Sequence, residues 1–245
     1  MNCFVIWDLD GTLMDTLTDL MNSTNYALSR CGMPTRSCDE VRQFVGNGVH
    51  KLIERAVGSN GSPEDVEKCF AVFKQHYMVH CKDNTKPYDG IVDVIRQLHD
   101  MGYRQAIVSN KLQGGVTELH DEWFRGIIDV AIGETPDVQR KPAPDMVNKA
   151  IAELKKKFGI APDAPVEAVY IGDSDVDLMT ARNAGLPCIS VLWGFRSKEF
   201  LLAHGATTFA ERPEEILGPL PGPPQLGGGV APPRPSPVRE GVISD

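Results

Sequence analysis

Residues 3–12 read CFVIWDLDGT, and this stretch decides the fold. Cys3, Phe4, Val5, Ile6 and Trp7 form an unbroken apolar run with no polar alternation. That pattern predicts a strand buried on both faces, as in a parallel sheet. In such sheets, ligands sit beyond the carboxyl ends of the strands. The run ends at Asp8, and Asp10, Gly11 and Thr12 follow. Two carboxylates at a strand end, followed by a glycine, make a candidate metal and phosphoryl site. Asp8 can offer one oxygen to magnesium and attack phosphorus with the other, because a carboxylate needs no deprotonation at neutral pH. Asp10 can give a proton to the leaving oxygen and later take one from water. Gly11 lets the backbone bend sharply and bring amides towards a phosphate. Taken alone, the same letters also fit a polar turn after a strand.

Working outward, residues 17–81 change rhythm. Leu20, Ala27 and Leu28, then Val41, Phe44 and Val45, then Leu52, Ile53 and Ala56 recur at helical spacing, and Pro63 suits the first turn of a further helix. No strand pattern interrupts them. The expectation is an α-helical module over residues 16–85, inserted after the first strand. From residue 86 helices and apolar strands alternate. Helices are predicted over 90–101, 115–124, 145–158 and 175–184, with strands over 105–109, 129–132, 168–171 and 188–192. This rhythm predicts an α/β chain whose Rossmann-like parallel-sheet core spans residues 1–15 and 86–217, with helices on both faces. Residues 218–245, GPLPGPPQLGGGVAPPRPSPVREGVISD, are dense in proline and glycine. They carry too little apolar surface to offset their ordering entropy, so a disordered tail is expected there.

Three more polar signals follow predicted strand ends. The hydroxyl of Ser109 can bind a phosphate oxygen, and Asn110 can contact phosphate or substrate, although Ser-Asn is also common turn chemistry. Lys141, in KPAP (141–144), is a compact cation suited to phosphate, on a loop stiffened by prolines; a surface lysine beside a helix start is the plainer alternative. Asp173, in GDSDVD (172–177), directly follows a strand and supplies oxygen ligands of the kind magnesium prefers. Asp177 lies one helical turn further and can orient Asp173 or metal-bound water, while Asp175 complements the helix dipole. Acids that merely cap a helix would look similar. The order is what argues for a site: acid, hydroxyl, lysine and acidic turn arrive in sequence, each after a strand.

Composition limits the partners. The chain has 245 residues, is 42% hydrophobic and carries a net charge of -8. An acidic surface argues against general binding to nucleic acid or an anionic membrane. No apolar stretch approaches the ~20 residues of a membrane helix, and no signal peptide fits. The six cysteines form no C-x-x-C pair and read as reduced thiols, so a cytoplasmic protein is expected. His76 and His80 stand four apart beside Cys81, but no third ligand follows at a suggestive spacing, which favours a helix surface over zinc. Nothing in the sequence fixes the oligomeric state.

WDLDGTLMDT (7–16), SNK (109–111), KPAPD (141–145) and GDSDVDLMTARNAG (172–185) together resemble the haloacid dehalogenase (HAD) superfamily, and within it the phosphatases with a small helical cap. The resemblance extends to about residue 217. It implies an HAD core with an inserted α-helical cap domain, with Mg2+ as cofactor. It further implies that Asp8 is nucleophile and metal ligand, that Asp10 is acid/base and binds the metal through its backbone carbonyl, and that Asp173 is the further metal ligand. Ser109 and Lys141 would hold phosphate, supported by Thr12 and Asn110. FVGNGVHKLIERA (44–56) and WGF (193–195) resemble the phosphoglycolate phosphatase group. There Gly46, Asn47 and Gly48 would open a helix whose amides meet a substrate carboxylate. The implied activity is Mg-dependent hydrolysis of a small-metabolite phosphomonoester, 2-phosphoglycolate foremost, through an aspartyl-phosphate. A sugar-phosphate mutase of the beta-phosphoglucomutase type and a non-catalytic phospho-acceptor protein are the alternatives. Trp7 and Ser109 depart from the usual phenylalanine and threonine without removing a needed atom.

Overall fold

The computed structural model describes residues 2–218 and 220. The tail expected over 218–245 therefore lies, apart from residues 218 and 220, outside the described residues. Among the described residues, eight strands and nine α-helices follow one another in the order β1 Cys3–Trp7, β2 Met14–Asp15, α1 Leu17–Arg30, α2 Cys38–Phe44, α3 Val49–Val57, α4 Pro63–His80, β3 Lys86–Pro87, α5 Ile91–Asp100, β4 Arg104–Leu112, α6 Gln113–Leu119, β5 Val130–Glu134, α7 Asp145–Lys157, β6 Glu167–Gly172, α8 Asp175–Asn183, β7 Cys188–Val191, α9 Lys198–Ala203 and β8 Phe209–Ala210.

Six strands form one sheet in the order β5-β4-β1-β6-β7-β8, paired in parallel throughout. β1 sits between β4 and β6, with Trp7 level with Ile107 and Ile171. All five of its residues are buried, as the unbroken apolar run requires. Alternate side chains enter different cores. Val5, Trp7, Ile107 and Ile171 join α5 and α6 on one face, whereas Phe4, Ile6, Val108 and Tyr170 join α7 on the other. Fully burying each of these large side chains stabilises the fold by roughly 1.5–3 kcal/mol. No helix among the described residues is long and apolar enough to cross a membrane.

Helices α1 to α4 surround a third cluster that includes Leu28, Leu52, Ile53 and Phe73, and Phe195 from the loop after β7 is packed into it. Local chemistry starts these helices. Ser37 and Glu40 form a capping box on α2, and Ser62 and Asp65 form another on α4, where Pro63 occupies the first turn. The two chain crossings between this cluster and the sheet are tied together. β2 pairs antiparallel with β3, and the buried Asp19 carboxylate accepts bonds from the amides of Asn84 and Thr85 and from both their side chains, at 2.8–3.1 Å.

The structure departs from the sequence reading in places. β4 runs to Leu112 rather than stopping at Ser109, with its register against β5 shifted between Val108 and Leu112. Such an irregularity re-aims side chains at the end of a strand, and it is where Ser109, Asn110 and Lys111 lie. The helix expected over 115–124 is α6 followed by a π-helical turn, His120–Phe124. The short β2, β3, β8 and α9 carry too few residues for a periodic signal.

Candidate active site

The strand ends bring Asp8, Lys141, Asp173 and Asp177 into one buried group. Lys141 Nζ donates to Asp8 Oδ1 at 2.7 Å, Asp177 Oδ1 at 2.8 Å and the Tyr170 hydroxyl at 3.1 Å. A buried ammonium is tolerated only when paired and fully hydrogen-bonded. Burial alone would lower the Lys141 pKa, but the carboxylates of Asp177 and Asp8 reverse this and raise it well above the ordinary value, so Lys141 is a cation. Burial, then the Asp177 charge, pushes the Asp8 carboxyl well up against the opposing pull of Lys141. Asp173 is pushed up to about 7, by burial first and Asp177 second.

Asp173 is held by short contacts. Its Oδ1 accepts from Thr12 Oγ1 at 3.3 Å and its Oδ2 from the Phe195 amide at 2.7 Å. The packing demands glycine on both sides. Gly11 has φ +87°, and a Cβ there would lie 2.8 Å from Phe195 Cδ2 and closer still to Asp173; a Cβ on Gly194 would collide with Asp173 and with the Gly11 carbonyl.

Ligand oxygens of Asp8, Asp173 and Asp177 lie within 4.8 Å of one another. Those of Asp177 are already committed: Oδ1 to Lys141 and Tyr170, Oδ2 to the amide and hydroxyl of Ser174. Asp8 Oδ2 accepts no hydrogen bond among the described residues, and three buried carboxylates, Asp8, Asp173 and Asp177, share the site with the one buried ammonium of Lys141. An all-oxygen, carboxylate-rich donor set short of positive charge fits a hard divalent cation such as magnesium.

A cavity of about 50 Å³ opens against this group. Asp8, Asp10, Ser109, Asn110, Lys141 and Asp173 line it from the sheet side, and Gly46 and Gly48 from the turn before α3. Two residues expected to bind substrate, Thr12 and Asn47, do not line it, and Asp177, expected behind the metal ligands, is turned to Lys141. Thr12 holds Asp173 instead of a ligand, because its hydroxyl is buried behind that carboxylate. Asn47 turns its side chain away, with Oδ1 accepting from Arg55 Nη2 at 2.7 Å. Asp177 steers Lys141 and not Asp173, since Ser174 and Asp177 form a capping box on α8 that points the remaining oxygen at the lysine. Asn110 does more than supply a donor. Its Oδ1 accepts from the Lys141 amide at 2.8 Å and its Nδ2 donates to the Lys141 and Gly46 carbonyls at 3.1 and 3.4 Å, fixing the lysine loop and touching the helical module.

Sequence reasoning missed two cations. Lys111 Nζ donates to Asp10 Oδ1 at 3.2 Å and to the Tyr77 hydroxyl of α4 at 2.7 Å. Burial works to lower its pKa, but Asp10 and Tyr77 outweigh that and raise it; Tyr77 itself is pushed up to about 12, chiefly by burial. Arg196 donates to the carbonyls of Arg42, Gln43 and Val45 at 2.7, 3.3 and 2.8 Å, at the end of α2. Lys111 stood in the SNK stretch as a letter without a task; no local signal pointed to Tyr77 or Arg196, whose partners are remote in sequence.

The family described as haloacid dehalogenase-like hydrolase matches residues 5–191. A phosphoglycolate phosphatase of Nitrosococcus oceani is 32% identical over 88% of this chain and 92% of its own length. Phosphoglycolate phosphatase 1 of Pseudomonas aeruginosa is 31% identical over 88% of this chain and 76% of its own. A solved structure from Lactobacillus delbrueckii subsp. bulgaricus, assigned as a phosphoglycolate phosphatase, superposes with a TM-score of 0.79 at 35% identity, covering 87% of this chain and 95% of that one.

Proposed function

The chain belongs to the haloacid dehalogenase-like hydrolase family and is a phosphatase, and we propose that it hydrolyses 2-phosphoglycolate with Mg2+ through an aspartyl-phosphate on Asp8. The observation that carries this reading is the meeting of Asp8 with Lys141 and Asp173 at the floor of a cavity of only about 50 Å³. So small a space suits a phosphoryl group with a very short leaving group, and the relatives' names supply the candidate ester.

An Asp8 oxygen attacks phosphorus as the bond to the leaving oxygen breaks, and Asp10 gives that oxygen its proton. Water then attacks the phosphorus of the acyl phosphate while Asp10 takes a proton from it and the bond between phosphorus and the Asp8 oxygen breaks, which releases inorganic phosphate and restores the Asp8 carboxylate and the Asp10 acid. Lys141 stabilises the charge on the transferring group, and Ser109 and the Asn110 loop bind its oxygens. Asp8, the Asp10 backbone carbonyl and Asp173 would hold the magnesium, which when bound adds charge neutralisation at phosphorus. Residues 16–85 act as a cap that excludes water during transfer, with Gly46 and Gly48 forming its inner wall.

The test is a panel of small phosphomonoesters assayed for phosphate release. Phosphoglycolate is expected to be turned over fastest, activity to vanish in excess EDTA and magnesium to restore it. A panel on which another ester clearly wins would remove the substrate assignment, and EDTA-insensitive turnover would remove the metal.

A further inference from the structure

Three cationic side chains line the cavity: Lys141, Arg196 and Lys111. Lys141 is fully committed and Arg196 is turned towards the cap. Lys141 spends its three donors on Asp8, Asp177 and Tyr170. Arg196 gives three of its five N–H donors to backbone carbonyls of the cap and holds Nε 3.6 Å from Asp175, and among the described residues it is Lys111, not Arg196, that pairs with Asp10. An ammonium has three donors. Lys111 uses one on Asp10 and one on Tyr77, which leaves a proton for an acceptor in the cavity. Its aliphatic stem runs over Gly115, where a Cβ would lie 3.3 Å from Lys111 Cε, so the head group is held in place from below.

Position gives this spare donor a meaning. The leaving oxygen must meet the proton donor Asp10, and Lys111 Nζ sits 3.2 Å from Asp10 Oδ1. Whatever is attached one carbon beyond the leaving oxygen arrives beside the ammonium. We infer that Lys111, braced by Tyr77 of the cap, is the specificity residue that receives a carboxylate on the leaving group. This rests on the phosphoglycolate reading and adds the group that recognises the substrate. The start of α3 at Gly48 presents only a partial positive charge from the cap side; Lys111 presents a whole one. Tyr77 makes recognition depend on the cap, because its hydroxyl reaches the lysine only when α4 lies over the sheet.

The experiment compares phosphoglycolate with ethyl phosphate, which has the same chain length but no carboxylate, in wild type, Lys111→Met, Lys111→Arg and Tyr77→Phe, with thermal melting of each. Losing the Asp10 partner slows both esters; losing the carboxylate contact slows only one. The ratio of kcat/KM for the two esters is therefore expected to fall by roughly ten- to a hundredfold in Lys111→Met, the size of a charge-assisted hydrogen bond. It should fall in the same direction, by less, in Tyr77→Phe and be partly kept in Lys111→Arg. An unchanged ratio in both Lys111→Met and Tyr77→Phe, with wild-type preference intact, would overturn this inference and leave the substrate assignment standing. A wild type with no preference for the carboxylated ester would overturn both. If Lys111→Met fails to fold, the Tyr77→Phe ratio decides.

Discussion

At the scale of single residues the site is a balance of buried charge, and Asp8 is its most exposed wager. Asp8→Asn keeps the volume and one hydrogen-bond acceptor for Lys141, which retains Asp177 as its ionic partner. The variant is expected to fold with a melting temperature close to wild type while turnover falls at least about ten-thousandfold, since an amide is no nucleophile at phosphorus. Phosphate release and a melting curve on one preparation check both halves; residual activity within a factor of ten of wild type would refute the assignment. The gathering of Asp8, Asp10, Lys141 and Asp173 was legible in the sequence because Asp8 and Asp173 directly follow buried strands while Asp10 and Lys141 lie on the loops after β1 and β5, and a strand end in a parallel sheet has a known address. The roles of Thr12, Asn47 and Asp177 were not. Each had the right address, but which neighbour claims a side chain depends on packing. Ser174 fixes one Asp177 oxygen and so aims the other at Lys141. Lys111 and Tyr77 are 34 residues apart, and only the folded cap brings them together.

At the scale of elements, long periodic helices and apolar strands could be read from spacing, while the parts that make the site work are short or irregular. The bulged end of β4 turns Ser109, Asn110 and Lys111 towards β1, and no alternation announces it. The tie between the two chain crossings, the hinge on which the proposed cap would turn, is likewise invisible in sequence: β2 and β3 are two residues each, and Asp19 would pass as a first-turn helix acid. In the structure Asp19 joins α1 to the return crossing at Asn84 and Thr85. Asp19→Ala leaves two backbone amides and a hydroxyl without their acceptor, which should cost about 2–4 kcal/mol in chemical denaturation. Burial would raise the Asp19 pKa, but the bonds from Asn84 and Thr85 outweigh it and the net shift is downward. For a carboxyl whose folded value is depressed, the stabilisation is complete above the unfolded value and is lost as pH falls through the folded one. The wild type should therefore lose stability below about pH 4 more steeply than Asp19→Ala. Parallel acid-denaturation profiles for the two proteins would contradict the hinge role.

At the scale of the whole molecule, two sheet-face cores and a separate helical core meet across a seam that holds the cavity, where Leu20, Val45, Val49 and Leu52 stand beside the polar residues of the site. If residues 16–85 act as the proposed cap, substrate entry and product release would go with its lifting and settling over the cavity. The seam is fitted for this. Apart from Phe195, which reaches into the cap cluster, the links across it include Asn110 to the Gly46 carbonyl, Lys111 to Tyr77, Lys82 to Glu118 and Glu122, and Arg196 to three carbonyls at the end of α2. Polar links exchange for water at modest net cost, whereas a fused apolar core would not. Arg196 is the largest of these links, because its guanidinium satisfies carbonyls at a helix C-terminus, where a cation is favoured. Arg196→Ala removes it without touching either sheet-face core. The closed state should lose on the order of 1–3 kcal/mol relative to the open one. The radius of gyration from small-angle scattering should then rise, and amide exchange at α2 and at the hinge should quicken. kcat/KM should fall several-fold while the melting temperature of the sheet core stays put. Unchanged scattering and unchanged exchange at α2 would mean that the other links hold the cap down without it, and that Arg196 is only a helix cap.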